Sequence, residues 1–216
     1  MRPFIGLAAI LALSACQPQA ASTRSASPSA SAPETMELTI TAGPLPPGTY
    51  ARSTIEPPIT LELDEGWRAV QQLDGFFDVQ REVGTPDVIA VQFARPARIW
   101  SASMTEAVAV TTAQEAADAL AANDRLTIND TSESQLGGLT GMVVDVENGG
   151  VGHEHVMELA GGELGIDPGR RLWVGFYDTD AGLLAVMIGG SLARWDDALA
   201  AAEPVLESVR IGETVE

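Results

Sequence analysis

The alternation of apolar and polar residues predicts β-strands in the first half of the chain. Residues 59–63 place Ile, Leu and Leu on one face and Thr and Glu on the other, which is typical of a half-buried strand. An Asp-Glu-Gly turn precedes residues 67–70, which are predicted to return as a second strand. Residues 76–83 and 87–94 predict a further hairpin, so this half of the chain indicates strands joined by short turns.

The second half of the chain predicts another hairpin after a glycine-rich stretch. Residues 139–146 form an apolar strand pattern, whereas residues 149–169 begin with Gly-Gly-Val-Gly and are predicted to be a loose region. Residues 172–177 and 183–188 are predicted to pair across an Asp-Thr-Asp-Ala-Gly turn, whose residue types tolerate turn geometry. Because residues 183–188 are apolar almost throughout, we expect this strand near the centre of a sheet.

Two segments have the spacing of amphipathic helices. Thr112 and Glu115 fit a capping box, in which each side chain satisfies a free amide of the first turn. Small and apolar residues then recur on one face over residues 113–121. A second helix is predicted over residues 192–208, with Ser191 as its cap rather than as a nucleophile. Its neighbouring residues lack the Gly-x-Ser-x-Gly pattern of a nucleophile elbow.

Together these elements predict an α+β fold. The expected architecture is a mostly antiparallel sheet of six to eight strands with the two amphipathic helices packed on it. Runs of strands joined by short turns, with separate helices, favour this class.

The start of the chain has the pattern of an export signal. Arg2 is followed by an apolar run over residues 4–13 and then by small residues, so residues 1–15 are predicted to be a signal peptide. The stretch Leu13, Ser14, Ala15, Cys16 resembles the lipobox of bacterial lipoproteins. That resemblance implies diacylglycerol transfer to the Cys16 sulfur and cleavage before it. A plain signal peptide with a chance cysteine, or an N-terminal membrane helix, remains the alternative interpretation.

Composition separates a tether from the folded part. Fifteen of the twenty residues in 17–36 are Ala, Ser, Pro or Thr, which bury too little apolar surface to offset the entropy of ordering. We therefore predict a lipidated cysteine and flexible tether over residues 16–42 and a single domain over residues 43–216. Two or three acyl chains on one cysteine would anchor such a chain stably to a membrane.

The charge and the missing lysines exclude several function classes. The chain has a net charge of −18 and contains no lysine, so a Walker-type phosphate loop and lysine-based catalysis are excluded. An acidic surface also argues against nucleic acid as a partner, because phosphates require a basic surface. No cofactor is predicted. The expected partners are the membrane, through the lipid anchor, and an unknown protein or small molecule.

Both ends of the folded part resemble a known group of proteins. Pro-Gly-Thr-Tyr at residues 47–50, Glu-Pro at 56–57 and Gly-Trp at 66–67 resemble the opening of a group of uncharacterised bacterial envelope lipoproteins. Residues 200–210 resemble the end of the same group and of PsbP-like domains more broadly. The resemblance implies an α+β module used for binding or assembly rather than catalysis.

The two histidines of the chain are the main chemical candidates. His153 and His155 would project to one face of an extended segment, where imidazoles two residues apart can share Zn²⁺. Carboxylates such as Asp145 or Glu147 would have to complete the ligand set; otherwise the histidines are polar loop residues. The sequence therefore predicts a membrane-anchored extracytoplasmic lipoprotein that binds or assembles without catalysis. The alternative is an envelope hydrolase, metal-assisted through His153 and His155.

Overall fold

The computed structural model describes residues 34–38, 42–73, 75–102 and 106–212. The predicted signal peptide and the lipidation residues (Leu13, Ser14, Ala15 and Cys16) lie outside the described residues. The described part contains sixteen strands, the helices α1 (Ala113–Ala121) and α2 (Trp195–Ser208), and a 3-10 turn at Leu192–Arg194. The strands are β1 Thr35–Glu37, β2 Gly43–Pro44, β3 Gly48–Arg52, β4 Ile59–Leu63, β5 Arg68–Leu73, β6 Phe76–Arg81, β7 Ile89–Ala94, β8 Pro96–Ala102, β9 Glu106–Ala109, β10 Thr127–Leu136, β11 Leu139–Asn148, β12 Glu154–Leu159, β13 Gly162–Ile166, β14 Arg170–Thr179, β15 Gly182–Ser191 and β16 Arg210–Ile211.

The strands form three sheets. The central sheet has eight antiparallel strands in the order β10-β11-β14-β15-β7-β6-β5-β2. The first outer sheet has the order β1-β3-β4-β16, and the second outer sheet has the order β13-β12-β8-β9. All pairs are antiparallel except β1 with β3.

The central sheet is covered on both faces, because its strands are apolar on both sides. On β15, Leu184, Val186 and Ile188 belong to a core shared with α2 and the first outer sheet. The intervening Ala185 and Met187 belong to a second core, shared with α1 and the second outer sheet. The prediction that this strand lies near the centre of the sheet is confirmed, since β15 is buried between β14 and β7.

The predicted α+β fold class is wrong. The described residues are mostly β, and α1 and α2 pack on opposite faces of the central sheet instead of together on a single sheet. The expected six to eight strands match the central sheet alone, whereas the outer sheets add eight more. Most outer strands are short, and two of them, β12 and β13, lie in the region 149–169 that was predicted to be loose. Glycines and charged residues interrupt the alternation there, so the strand pattern is hidden.

Local sequence patterns predicted the helices more accurately than the sheets. The N-cap of α1 is confirmed, since the Thr112 hydroxyl accepts from the Glu115 amide at 3.2 Å. The Glu115 carboxylate reaches back one residue further than a capping box predicts and accepts from the Thr111 amide at 2.9 Å. The second predicted helix starts three residues later than expected, at Trp195. Ser191 makes no capping hydrogen bond; its hydroxyl donates to Asp87 at 3.1 Å.

The first described strand falls within the predicted tether. β1 pairs in parallel with β3, and Leu38, just after it, is 1% exposed in the core. This part of the 16–42 segment is thus attached to the first outer sheet. The boundaries of the tether and of the domain stay predictions.

Candidate functional site

A polar cleft opens on the α1 side of the central sheet. It has a volume of about 590 Å³ and is floored by β6, β7, β14 and β15. Ala90 and Gly189 contribute little side chain to the floor, which leaves room between the two walls. One wall is the segment 165–170, and the other is the turn at 85–88. Four elements distant in sequence therefore meet at one concave surface, which we call the Gln80–Gln92 cleft.

A buried carboxylate lies behind the two amides that name the cleft. Asp78 is 4% exposed, and its Oδ2 accepts from Gln80 Nε2 at 2.6 Å and from Gln92 Nε2 at 3.2 Å. Its Oδ1 is buried without a hydrogen-bond partner among the described residues. Burial raises the pKa of Asp78 from 3.8 to about 6, and the two amide hydrogen bonds only partly oppose that effect.

Arg170 closes one end of the cleft. Its guanidinium donates to the carbonyl oxygens of Pro86 at 3.2 Å and Val88 at 2.9 Å, so it joins the two walls. Burial lowers the pKa of Arg170, while the neighbouring carboxylates of Asp167 and Asp87 act in the opposite direction. The side chain keeps its charge, and it holds the turn at 85–88 against β14.

A buried asparagine fixes the other wall. Asn148 is 0% exposed, and its Nδ2 donates to the carbonyl oxygens of Gly152 and Ile166, both at 2.8 Å. Its own carbonyl oxygen accepts from the Gly169 amide at 2.8 Å. Asn148 was not among the predicted site residues, because it lies two positions beyond the strand predicted over residues 139–146, although it is the last residue of β11. Through these bonds β11 sets the position of the wall.

His153 and His155 lie together beside this wall. Their rings are 5.4 Å apart and nearly perpendicular, and each Nδ1 lies 2.8 Å from a different carboxylate, Asp167 for His153 and Glu163 for His155. The first contact is a hydrogen bond, whereas the second has ion-pair distance without hydrogen-bond alignment. Because Asp167 also lines the cleft, the predicted histidines adjoin the site without lining it.

The metal hypothesis gains no third ligand from the described residues. Within ranges 34–38, 42–73, 75–102 and 106–212, no group of three His, Cys, Asp or Glu side chains is arranged to hold a metal ion. Of the two carboxylates suggested as further ligands, Asp145 is paired with Arg171 and Glu147 lies near Asn129. The metal site at His153 and His155 stays an untested prediction.

The tryptophan side chains lie in different environments. Trp67 is 1% exposed and donates to Asp64, with Arg81 over its ring, and Trp195 lies in the core beneath Arg171. Trp100 stacks at an angle near His155. Trp173 is half-buried and lines a second cleft of about 530 Å³ between the β10–β11 hairpin and the end of α2.

The arrangement in the Gln80–Gln92 cleft is suited to binding through hydrogen bonds. Its polar side chains are tied to one another before any ligand arrives, which lowers the cost of ordering them on binding. Sequence reasoning missed Asp78, Gln80 and Gln92, because polar residues at alternate strand positions are ordinarily read as solvent-facing. The only available sequence signal was that polar residues occur within both of the two neighbouring predicted strands.

Comparisons with known proteins give distant similarities. No protein-family model matches the chain, and no curated protein matches it. The chain is similar to the solution structure of cyanobacterial PsbP (CyanoP) from Synechocystis sp. PCC 6803, at 13% identity and a TM-score of 0.44, over 78% of this chain and 94% of that one. It is also similar to LpqN of Mycobacterium tuberculosis, described as involved in cell envelope biogenesis, at 10% identity and a TM-score of 0.39, over 79% and 90% of the two chains. Among the described residues, neither helix has the length and apolar character needed to span a bilayer.

Proposed function

We propose that this protein is an exported lipoprotein, held to an envelope membrane through Cys16, whose folded part is a non-catalytic binding or assembly module. The predicted export signal and the lipobox-like residues support the location. The hydrogen-bonded group of Asp78, Gln80 and Gln92 in the Gln80–Gln92 cleft supports the binding role, and it is the observation on which that role depends.

The cleft is preorganised in a way that favours recognition. The carboxylate of Asp78 orients the two amides on its floor, and Arg170 and Asn148 hold its two walls through backbone carbonyl oxygens. Catalysis by nucleophilic attack requires a nucleophile in contact with a base. The cleft hydroxyl of Ser191 donates to Asp87 instead, an arrangement that suits a structural link between walls.

Intact-mass measurement of the membrane fraction tests the location. The expected product begins at Cys16 and carries a diacylglycerol on its sulfur, while Cys16→Ser should remain unprocessed and unlipidated. An unmodified thiol, or a leader still attached in the wild-type protein, would contradict the proposal.

Site-specific photo-crosslinking in the host tests the binding role. A photoreactive residue is placed at Thr85 or Pro168, both exposed at the rim of the cleft, or at Glu203, exposed on α2 as the control position. We expect adducts at the rim positions that Gln92→Leu diminishes, with no such effect on adducts at Glu203. Rim adducts that are insensitive to Gln92→Leu would argue against the cleft.

The hydrolase alternative makes a different prediction for a variant that lacks both histidines. His153 and His155 each have a carboxylate partner, which is an arrangement also found around catalytic histidines. In the binding proposal, replacing both histidines with alanine leaves the rim adducts and the host phenotype unchanged. A hydrolytic activity that disappears in the double variant would favour the alternative.

A further inference from the structure

The side-chain donors of the Gln80–Gln92 cleft are already engaged with acceptors of the protein. The hydroxyl of Thr85 donates to the Glu82 carbonyl oxygen at 2.8 Å, and that of Ser191 donates to Asp87. Both guanidinium nitrogens that Arg170 uses are directed at backbone carbonyl oxygens of the opposite wall. Every side chain of the cleft that can donate therefore already makes a hydrogen bond within the protein.

Hydrogen bonds to Asp78 fix the orientation of the two amide side chains on the floor of the cleft. An ionised carboxylate only accepts hydrogen bonds, so the Nε2 atoms of Gln80 and Gln92 must face Asp78, as they do. Because Nε2 and Oε1 are on the same amide carbon, fixing Nε2 on Asp78 leaves Oε1 as the acceptor that each side chain can offer to a ligand in the cleft.

The charges near the cleft favour a positive ligand. Asp167 lines the wall and is exposed, Asp78 lies behind the floor, and Asp87 stands at the rim. Arg170 is the one cation among the described lining residues, and it is countered by Asp167 and Asp87. Asp87 also lies 3.8 Å from Arg194, which in turn lies 3.3 Å from Glu82. The three aspartates and Glu82 therefore outnumber Arg170 and Arg194, and the local charge is negative in a chain whose overall charge is −18.

We propose that the Gln80–Gln92 cleft binds a primary ammonium group, either of a free diamine or of a lysine side chain. An ammonium has three donors and no acceptor, so it matches a surface of carbonyl oxygens and a carboxylate. A sugar or polyol would need donors from the protein as well as acceptors. This inference rests on the proposed function, since it names the ligand chemistry of the same cleft.

Calorimetry on the detergent-solubilised full-length protein tests the inference, in 150 mM salt to suppress non-specific attraction. The probes are 1,5-diaminopentane and Nα-acetyl-lysine methylamide, with tetramethylammonium and 1,5-pentanediol as controls. Tetramethylammonium carries the charge without N–H donors, and pentanediol carries hydroxyl donors without charge.

We expect both controls to bind at least about tenfold more weakly than the amines, because a hydrogen bond to a charged group is worth about 1.5–3 kcal/mol. The stronger of the two amines indicates which source is natural.

Variants locate the binding. Asp167→Asn keeps the shape of an exposed side chain and should weaken amine binding about tenfold, and Gln92→Leu should have a comparable effect. Asp130→Asn removes the same charge from an exposed position on β10, away from the cleft, and should leave the affinity within about twofold. Hydrogen exchange should show protection of residues 165–170 in the presence of the amine.

The outcomes separate this inference from the proposed function. Equal loss in Asp130→Asn and Asp167→Asn, equal affinity for tetramethylammonium, or no measurable heat with either amine would overturn the ammonium assignment. If rim adducts at Thr85 still depend on Gln92, the binding role survives that result. If neither adducts nor amine binding depend on Gln92, both proposals fail.

Discussion

Asp178 accepts a hydrogen bond from the backbone amide of Ala113 at 2.8 Å, across 65 positions of sequence. The carboxylate follows the last buried residues of β14, and the amide belongs to the first turn of α1, whose orphan donors need acceptors. The end of strand β14 therefore caps the helix that packs on the central sheet, in addition to the helix's own N-cap Thr112.

Removing that carboxylate should destabilise the protein. We expect Asp178→Ala to lower the free energy of unfolding by about 1 kcal/mol, the usual cost of losing a capping acceptor. Asp180→Ala, an exposed position two residues further along, is the control and should stay within about 0.5 kcal/mol. Urea unfolding of the three proteins measures both values, and equal effects at the two positions would refute the capping role.

Asp78 should make stability depend on pH between about 4 and 7. Because the pKa of Asp78 is raised from 3.8 to about 6 on folding, the folded state binds the proton more tightly than the unfolded chain does. That contribution is fully present below pH 3.8 and is lost as the pH rises through about 6. This pKa shift corresponds to a change of at most about 3 kcal/mol in the free energy of unfolding.

Asp78→Asn isolates this effect. Relative to the wild type, the variant should gain stability as the pH rises from 4 to 7, by up to about 3 kcal/mol, since it never carries a buried charge. Asp124→Asn, at an exposed position, should show no such divergence. Parallel unfolding curves for wild type and Asp78→Asn at every pH would show that Asp78 is not the responsible group.

Gly165 should resist substitution because His153 lies against it. A methyl group there would stand 2.2 Å from His153 Nε2 and 2.5 Å from the Glu154 carbonyl oxygen, and the second contact is with backbone that cannot rotate away. We expect Gly165→Ala to cost about 1–3 kcal/mol and to displace the wall of the cleft. Gly162→Ala, on the same strand with open space around it, is the matched control. Thermal unfolding compares them, and similar melting temperatures would contradict the close packing.

Arg171 should not be replaceable by lysine. Its Nε and Nη2 each lie 2.7 Å from a different oxygen of Asp145, and its guanidinium lies 5.0 Å over the ring of Trp195. A lysine can reproduce neither the two parallel hydrogen bonds nor the planar stacking. Arg171→Lys is expected to cost about 1–2 kcal/mol in chemical unfolding. Arg68→Lys, an exposed position on β5, should cost less than about 0.5 kcal/mol, and equal losses would refute the pairing argument.

The elements with strong local signals were predictable. α1 was found from Thr112 and Glu115 because a helix start is recognised by side chains within one turn. The β14–β15 hairpin was found because two apolar runs flank a short turn of Asp and Gly. Both signals lie within about ten residues, so no knowledge of distant contacts was needed.

The second outer sheet was not predictable in the same way. β12 pairs with β8 through contacts such as Met157 opposite Ile99, nearly 60 positions apart. Gly162 and Gly165 on β13, and the glutamates Glu154, Glu158 and Glu163 within β12 and β13, interrupt the apolar–polar alternation that would predict a strand. These strands form because a partner strand supplies their hydrogen bonds, which no window of sequence can display.

Some parts of the candidate site were also predictable from the sequence, and others were not. From the residues alone came the lipobox-like leader, the acidic and lysine-free composition, and two histidines placed to share a face. Only the folded structure shows that Asp78, a polar residue on an alternating strand, is buried. It also shows that Gln80, Gln92 and Arg170 line one cleft. Side-chain chemistry and short-range periodicity are properties of the chain, whereas burial and juxtaposition arise only when strands far apart in sequence pair and exclude water.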